Sequence, residues 1–164
     1  MLDRLDRKIL SIIQSDATVS VAEIGKRVGL STTPCWRRIQ KMEEDGVIVR
    51  RVVLLDPAGI NVAVTAFVSI TTSDHSDEWL KRFAELISEF PEVVEFYRMA
   101  GQVDYLLRVV VPDIAAYDIF YKKLIEKIKI SDVSTTFAME QIKFTTELPL
   151  DYIPLAKSDN ATTG

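Results

Sequence analysis

The sequence has little of the chemistry that most enzymes and disulfide-linked proteins use. Its 164 residues include one cysteine, Cys35, and one histidine, His75. A lone cysteine excludes an internal disulfide and favours a reducing cytoplasm, and one thiol with one imidazole cannot form a four-ligand zinc site. Because no phosphate-binding loop, nucleophile elbow or paired catalytic carboxylate is visible either, we expect no enzyme, no metal and no cofactor.

Long hydrophobic runs are also missing. No apolar stretch approaches the ~18–20 residues that span a bilayer, so we expect no membrane partner. The first residues, 1–6, are acidic and amphipathic, which is not the pattern of a secretory signal. Hydrophobic residues at 48% and charged residues at 27% instead predict a folded globular chain.

Negative charge is in excess, with a net charge of −4, but it is unevenly distributed. Residues 1–55 contain ten Lys or Arg against seven Asp or Glu, whereas residues 56–164 contain ten against seventeen. Phosphates are attracted to the first part and repelled by the second. The sequence therefore indicates a mildly basic N-terminal unit joined to an acidic C-terminal one, which by itself does not establish DNA binding.

The first thirty residues predict two helices. Apolar residues recur at helical spacing over 2–13, which indicates a helix with one buried face. Ser20, with Glu23 three residues later, predicts a capping box at the start of a second helix, and Gly29 is placed to end that helix in the left-handed conformation. Gly25 would let this helix approach its neighbour closely.

A third helix and a strand complete the predicted N-terminal domain, residues 1–55. Hydroxyl residues followed by Pro34 predict the helix start, Gly46 its end, and Cys35 lies on its buried stripe as a core thiol. The β-branched run 47–55 predicts a strand, and residues 56–61 form a turn that we interpret as the hinge between domains.

The second half predicts the order β-α-β-β-α-β, which is that of a ferredoxin-like fold within an α+β protein. Both helices would cover one face of the sheet, and the apolar strands suggest that a second subunit buries the other face. We assign residues 62–150 to this domain and residues 151–164 to a C-terminal tail, of which 157–164 are expected to be disordered. The predicted strands are 62–72, 93–99, 105–111 and 134–145, and the predicted helices are 78–90 and 112 to about 129.

The hairpin of the second and third helices suggests a helix-turn-helix that reads the major groove of double-stranded DNA. Arginine can pair with guanine, glutamine with adenine, and hydroxyl groups reach phosphates or bases. Arg50 and Arg51 would contact neighbouring phosphates from the strand, as a wing. A solvated basic face on a purely structural helix is the alternative. The candidate DNA-binding residues are Ser31, Thr32, Thr33, Trp36, Arg37, Arg38, Gln40, Lys41, Arg50 and Arg51.

Several ordered motifs resemble one family over about residues 2–150. They are the segments 5–10, 22–39, 46–48 and 101–105, and they are similar to the signature of the Lrp/AsnC regulators of bacteria and archaea. The resemblance implies a winged helix-turn-helix joined to a ferredoxin-like, ACT-like domain for the "regulation of amino-acid metabolism" (RAM). It also implies dimers that assemble into tetramers or octamers and bend or wrap DNA.

The segment 101–105 has two interpretations. From its residues alone it is a turn between strands, whereas the resemblance implies the border of an amino-acid pocket between dimers. Asp104 would attract an ammonium group or hold the loop, with Arg98 as a nearby cation. Gln102 and Thr136 depart from the family pattern, so leucine is not transferred as the effector. The candidate effector-binding residues are Arg98, Met99, Ala100, Gly101, Gln102, Val103, Asp104, Tyr105, Ile114, Thr136, Phe137 and Ala138.

These observations favour a sequence-specific, cytoplasmic and nucleoid-associated transcription regulator of the Lrp/AsnC type, modulated by an amino acid. One alternative is an architectural nucleoid protein with weak sequence preference and no effector, because basic residues and oligomeric wrapping would suffice for it. Another is an amino-acid-binding regulatory subunit of a metabolic enzyme. No metal or catalytic role is expected for His75, since no cluster of partners surrounds it in the sequence.

Overall fold

The computed structural model describes residues 1–154, and its contacts divide the chain into two compact units. The first unit comprises Met1–Val53 together with the described residues from Lys143 onward, and the second comprises Leu54–Ile142. The sequence analysis had assigned residues up to 150 to the second domain. The structure groups residues from Lys143 onward with the first unit because the end of this segment bonds to the first helix. The predicted disorder of 157–164 lies outside the described residues.

Three helices form the first unit: α1 (Arg4–Ser15), α2 (Val21–Val28) and α3 (Thr32–Glu44). The predicted apolar stripes meet in one core, and Cys35 is fully buried within it, as expected. Burial of apolar surface is the main term that holds such a small helical unit together. The buried members of this core are Ile9, Leu10, Ile13, Ile24, Val28, Cys35, Ile39 and Met42.

The capping of α1 and α2 differs in detail from the prediction. Ser20 caps α2 by accepting a hydrogen bond from the backbone N–H of Glu23, at 3.2 Å. The capping box predicted there is incomplete, because the Glu23 carboxylate accepts from Arg27 instead, at 2.9 Å. The complete box lies on α1, where Asp3 accepts from the N–H of Asp6 and Asp6 accepts from the N–H of Asp3.

Two glycines shape the turn between α2 and α3. Gly29 ends α2 in the left-handed region at φ +76°, where a glycine has no steric penalty. Gly25 packs so close to the turn that an added Cβ would lie 2.7 Å from the carbonyl oxygen of Leu30. The expected role of Gly25 in allowing a close approach is therefore confirmed, and the close partner is the turn backbone.

The strand predicted at 47–55 is wrong for this chain. Residues 47–55 form no strand in the structure, and Ile48 is the only one of them that is not exposed. A run of β-branched residues becomes a strand only when another strand accepts its backbone hydrogen bonds, and the described part of the chain provides none. Arg50 and Arg51 thus follow α3 on an extended segment.

The second unit confirms the predicted β-α-β-β-α-β order. Its strands are β1 (Val64–Thr71), β2 (Val93–Arg98), β3 (Tyr105–Val111) and β4 (Asp132–Phe137), and its helices are α4 (Asp77–Ser88) and α5 (Ile114–Lys127). The strands form one antiparallel sheet in the order β2-β3-β1-β4. β4 is shorter than the predicted 134–145, because its partner strand β1 begins at Val64 and offers no further residues for pairing. The last backbone hydrogen bond between them joins the Ala138 N–H to the Thr65 carbonyl at 2.9 Å.

The sheet has one covered face and one uncovered face in the single chain. Alternate residues of β1 and β3 pack with α4 and α5 in one core, in which Phe83 and Phe120 are the largest fully buried side chains. The intervening residues point to the other face, which carries Phe67, 39% exposed, and the ion pair of Arg108 with Glu95. Both helices lie on one face, as predicted. A short 3-10 helix, Leu150–Tyr152, follows in the first unit, and no helix in residues 1–154 is long and apolar enough to cross a membrane.

Candidate functional site

The outward face of α3 is polar, basic and aromatic. Thr33, Arg37 and Lys41 lie opposite the buried stripe of Cys35 and Ile39, as the helical period requires. Pro34 is tolerated in the first turn of α3 because the first helical N–H groups have no intrahelical acceptor. The outward residues are therefore presented on a helix that is fixed by its apolar side, which is the arrangement of a groove-reading helix.

Hydroxyl groups and an indole ring border the start of this face. Ser31 is the N-cap residue of α3 without a side-chain cap bond, so its hydroxyl is not committed to the helix. Thr32 and Thr33 are exposed in the first turn, and Trp36 is 50% exposed one turn further on. The indole is thus partly packed and partly available to a ligand.

Arg38 is placed differently from its neighbour Arg37. Its guanidinium Nη1 lies 2.7 Å from a carboxylate oxygen of Asp3 and 2.7 Å from one of Asp6, and its side chain is 32% exposed. These two acids raise the pKa of Arg38, with the hydrogen bond to Asp6 as the largest contribution. The sequence predicts Arg38 as a DNA-binding residue, whereas in the structure its ion pairs with Asp3 and Asp6 join α3 to α1.

Three other candidates have partners on the first unit itself. Gln40 donates to Glu43 at 2.9 Å, and Arg51 pairs with the same side chain at 3.0 Å. Lys41 pairs with Asp45 at 3.1 Å, one turn along α3. Solvent-accessible ion pairs such as those of Lys41 and Arg51 are weak, so a phosphate can displace them at small cost. Arg50 is exposed on the segment that follows.

The loop between β2 and β3 is organised by Asp104. One carboxylate oxygen of Asp104 accepts from the backbone N–H of Thr72 at 2.8 Å, and the backbone carbonyl of Asp104 accepts from the N–H of Met99. Gly101 has φ +145°, a region that side chains rarely adopt. Of the two roles considered for Asp104, holding the loop is the one that the observed contacts support.

His75 also lies beside Asp104, which the sequence did not indicate. Its Nδ1 is 3.7 Å from the second carboxylate oxygen of Asp104, and its side chain is 61% exposed. Asp74, next to it, accepts from the hydroxyl and the N–H of Ser76, which lower the pKa of Asp74. Among residues 1–154, no group of three or more acidic, histidine or cysteine side chains is placed to hold a metal ion.

The candidate effector residues fall into two groups within one chain. Tyr105 pairs with Ile70 on β1, whereas Phe137 pairs with Ala66, four residues away along the same strand. At about 3.3 Å per residue this separates the groups by ~13 Å. One group is the loop and its flanks, and the other lies towards the far end of the sheet. The loop group is Arg98, Met99, Ala100, Gly101, Gln102, Val103, Asp104 and Tyr105, and the far group is Ile114, Thr136, Phe137 and Ala138.

Most of these side chains are accessible. Met99 is 40% exposed, Ile114 57% and Phe137 37%, whereas Tyr105 is 2% exposed and packs against Trp79. Tyr105 therefore supports the loop from the core. A separate open cavity of ≈ 390 Å³ lies between the end of α5 and the start of β4, and it contains none of the candidate residues.

Two features of the site escaped sequence reasoning. The acids that hold Arg38 lie more than thirty residues away, but the position of Arg38 three residues after buried Cys35 and four before buried Met42 marks the edge of the core stripe. The bond from Thr72 to Asp104 left no sequence signal, because it depends on the pairing of β1 with β3.

A helix-turn-helix with a groove-reading face, linked to a ferredoxin-like unit, defines a two-domain transcription regulator. Family models agree with both halves. Residues 2–49 match the "Winged helix-turn-helix DNA-binding" model, and residues 65–148 match the "Lrp/AsnC ligand binding domain" model. The chain belongs to the Lrp/AsnC family, and it is a DNA-binding transcription regulator of that type.

Individual proteins give the same result. The chain is 50% identical to the DNA-binding transcriptional activator DecR of Escherichia coli, over 92% of this chain and all of DecR. It is also 50% identical to the glutamate uptake regulatory protein of Zymomonas mobilis, over 91% of each.

Solved structures are similar over nearly the whole chain. A crystal structure of an AsnC family transcriptional regulator from Agrobacterium tumefaciens is 75% identical, with a TM-score of 0.90 over 93% of this chain and 99% of the other. A transcriptional regulator from Neisseria meningitidis in complex with L-methionine is 31% identical, with a TM-score of 0.87 over 92% and 98%.

Proposed function

We propose that this regulator reads a two-part DNA site with α3 from each of two subunits, and that an amino acid bound between subunits changes its affinity for DNA. The observation that carries the first part is the exposed outward face of α3, with Thr33 and Arg37 opposite its buried stripe. Half-sites about one helical turn apart, or a multiple of it, would match two such helices related by a two-fold axis.

The residues of this face divide by chemistry. Arg37 and Gln40 reach base edges, where arginine suits guanine and glutamine suits adenine. Ser31, Thr32 and Lys41 bind phosphates and set the register, and Arg50 and Arg51 extend the phosphate contacts beyond the helix. Such a modest set of cations supports tight binding only when several copies act together.

The uncovered face of the sheet supports self-association. It exposes the ring of Phe67 between Thr136 on β4 and Arg108 on β3, its partners across the sheet. The face is mixed, because it also carries the ion pair of Arg108 with Glu95. Its apolar side chains, such as Phe67, gain free energy when a second copy covers them. We therefore propose a dimer through the sheets, which assembles further into tetramers or octamers.

The effector site would form only in that assembly. The loop group and the far group lie at different places along β1, so a pocket lined by both requires residues from two subunits. Backbone N–H groups near Gly101 and the Arg98 guanidinium suit a carboxylate, and Met99 with Phe137 suits an apolar side chain. The glutamate and L-methionine in the names of the two related proteins support an amino acid as the class of ligand.

We further propose that the protein acts in the cytoplasm, on the nucleoid, without catalysing a reaction. Its DNA-binding family supports the location. The relatives are named as regulators, which supports a binding function rather than an enzymatic one.

Selection of duplexes from a random DNA library, followed by footprinting, tests the function. We expect a short list of related sites, each protected over two half-sites. Arg37→Ala should weaken binding to the selected site by about 10- to 100-fold, which corresponds to ~1–3 kcal/mol. Diffuse protection with no selected sequence would overturn the proposal in favour of an architectural nucleoid protein.

A thermal-shift screen of the twenty amino acids tests the effector. We expect at least one to raise the melting temperature and to change the affinity for the selected duplex, because a ligand shifts an equilibrium only by binding its two states differently. A shift without any change in DNA affinity would contradict a regulatory role for that ligand.

A further inference from the structure

The end of the described chain is attached to the first helix by a specific set of contacts. We define residues 147–153 as the C-terminal strap. The side-chain amide of Gln14 donates to the carbonyl of Leu148 at 3.1 Å and accepts from its N–H at 3.1 Å. The Ser15 hydroxyl donates to the Glu147 carboxylate at 2.6 Å. One amide that satisfies both backbone groups of a single residue fixes the register of the strap on α1.

Apolar side chains anchor the strap more firmly than its charges do. Leu150 and Ile153 are partly buried and pack against the core of the helix-turn-helix. The ion pair between Arg7 and Asp151, at 3.2 Å, involves side chains that are 39% and 92% exposed and adds little. Tyr152, within the same short helix, is 86% exposed. The two partly buried residues are three positions apart with exposed residues between them, so the strap presents one defined side to this core.

The segment that leads to the strap is a second covalent connection between the first unit and the second unit. The chain leaves the first unit after Val53 and returns to it at Lys143. Ala138, a candidate effector residue, is bonded to Thr65 of β1 and lies nine residues before Glu147. Nine extended residues span at most about 30 Å, so the first unit cannot move beyond that reach while the strap is bound. A unit held at two points samples fewer orientations than one held by an exposed hinge alone.

We propose that the C-terminal strap restricts the freedom of the helix-turn-helix and thereby favours simultaneous binding of two half-sites. This inference rests on the proposed two-part DNA site. When two modules bind together, affinity depends on the effective concentration of the second, which falls as its orientational freedom grows. Release of the strap leaves each α3 intact, so it weakens binding to a paired site and spares binding to a single half-site.

The test uses full-length variants of two kinds: two that release the strap, and one control that leaves the strap bound. Gln14→Ala removes both bonds to Leu148 and retains a good helix former on α1. Leu150→Ser with Ile153→Ser removes the apolar anchors. Tyr152→Ser is the matched control, because it changes a large side chain of the same segment that does not contact the core. Each variant is compared with the unaltered protein by hydrogen exchange and by DNA binding.

Amide hydrogen exchange of α1 reports whether the strap is docked, without any DNA. We expect faster exchange at the end of α1 in Gln14→Ala and in the double variant, and no change in Tyr152→Ser. Unchanged exchange in both release variants would overturn the proposal, because the strap would then not protect α1 in solution. If the double variant also unfolds α2 and α3, its data are set aside, and the exchange and DNA binding of Gln14→Ala decide whether the proposal holds.

DNA affinity is measured on the duplex that the unaltered protein selects, and on the same duplex with one half-site scrambled. Release should weaken binding to the paired site at least tenfold and to the single half-site less than twofold. Equal loss on both duplexes means that the strap only stabilises the fold, and no loss on either means that docking has no role, so each result overturns the proposal. If the unaltered protein selects no paired site, the proposed function fails and this inference fails with it, while the exchange data still report on docking.

Discussion

The guanidinium of Arg38 lies 2.7 Å from a carboxylate oxygen of Asp6, whose side chain is 11% exposed, and it joins the recognition helix α3 to α1. A second acid, Asp3, lies 2.7 Å from the same Nη1 atom. Without the guanidinium the two neighbouring carboxylates would repel each other, so the cluster depends on Arg38. Adjacent arginines of α3 therefore have different tasks, and Arg37 is the one whose side chain faces outward.

Substitution of the two arginines should separate stability from DNA binding. Arg38→Ala should lower the free energy of unfolding of the first unit by about 1–3 kcal/mol, since it leaves partly buried carboxylates without a partner. Arg37→Ala should leave that stability unchanged. Each phosphate contact contributes about 0.9 to the slope of log affinity against log salt concentration, so the slope distinguishes a lost contact from a displaced helix.

The salt slope of Arg38→Ala should therefore match that of the unaltered protein even where its affinity is lower. Arg38→Lys is the control, because it keeps the positive charge but replaces the planar guanidinium with a compact ammonium group on a different stem. A slope that falls by about one in Arg38→Ala, with stability intact, would show instead that Arg38 contacts a phosphate.

Acid should weaken the first unit through Asp3. Partial burial raises the pKa of Asp3, but the N–H of Asp6 and the Arg38 guanidinium outweigh it and hold the pKa below its ordinary value of 3.8. The folded state thus binds the proton less tightly than the unfolded chain. The stabilisation is fully present above pH 3.8 and is lost as pH falls through the lower pKa of the folded state.

Asp3→Asn should therefore remove part of the pH dependence below pH 4, because its amide does not titrate. Hydrogen exchange of α1 and α3 at several pH values measures this for the first unit alone. Asp16→Asn is the comparison at an exposed site of the same unit, where the bonds from Thr18 lower the pKa. Equal pH profiles for Asp3→Asn and the unaltered protein would show that Asp3 does not stabilise the fold.

Gly25→Ala should cost more stability than Gly29→Ala. The new Cβ at position 25 would meet the Leu30 carbonyl oxygen at 2.7 Å, and a backbone oxygen cannot rotate away. Overpacking of this kind costs about 1–3 kcal/mol. At Gly29 the added methyl meets nothing within 4 Å, so the penalty is only that of the left-handed backbone, ~1 kcal/mol. Urea unfolding, monitored by hydrogen exchange of the α2 amides, compares the free energies of unfolding of the two variants. A larger loss of stability for Gly29→Ala would contradict the close approach of Gly25 to Leu30.

Sequence reasoning succeeded where local pattern decides the structure. The strand Tyr105–Val111 has the bounds that the sequence predicts, because turn residues precede it and Pro112 follows it directly. The end of α2 was equally predictable, since Gly29 adopts the left-handed conformation that the pattern indicated. Both features depend on neighbouring residues, which the sequence displays directly.

Features that depend on a partner far away in the sequence were not predicted correctly. Residues 47–55 have β propensity but no ladder partner in the described chain, and β4 stops at Phe137 because β1 runs out. The sequence places part of the strap in the second domain, because no pattern in 147–153 indicates the hydrogen bonds between Leu148 and the Gln14 side chain. The candidate effector residues lie in two groups along β1, so a pocket lined by both groups would need more than one subunit.

The role of Asp104 can be decided by two substitutions. Its carboxylate accepts from the N–H of Thr72 at 2.8 Å and lies 3.7 Å from His75 Nδ1. Asp104→Asn keeps an acceptor oxygen for Thr72 but loses the charge, whereas Asp104→Ala loses both. If Asp104 holds the loop, Asp104→Asn should bind the amino acid found in the thermal-shift screen within about threefold of the unaltered protein.

Asp104→Ala should then bind that amino acid at least tenfold more weakly and lower the stability of the second unit by about 1 kcal/mol, the usual loss for one such hydrogen bond. Isothermal titration measures the affinity and thermal unfolding the stability. If Asp104 instead contacts an ammonium group, both substitutions should weaken binding alike, since each removes the negative charge. Asp118→Asn is the control, because it removes a negative charge from α5, where Asp118 pairs with Lys122 and is not among the candidate effector residues.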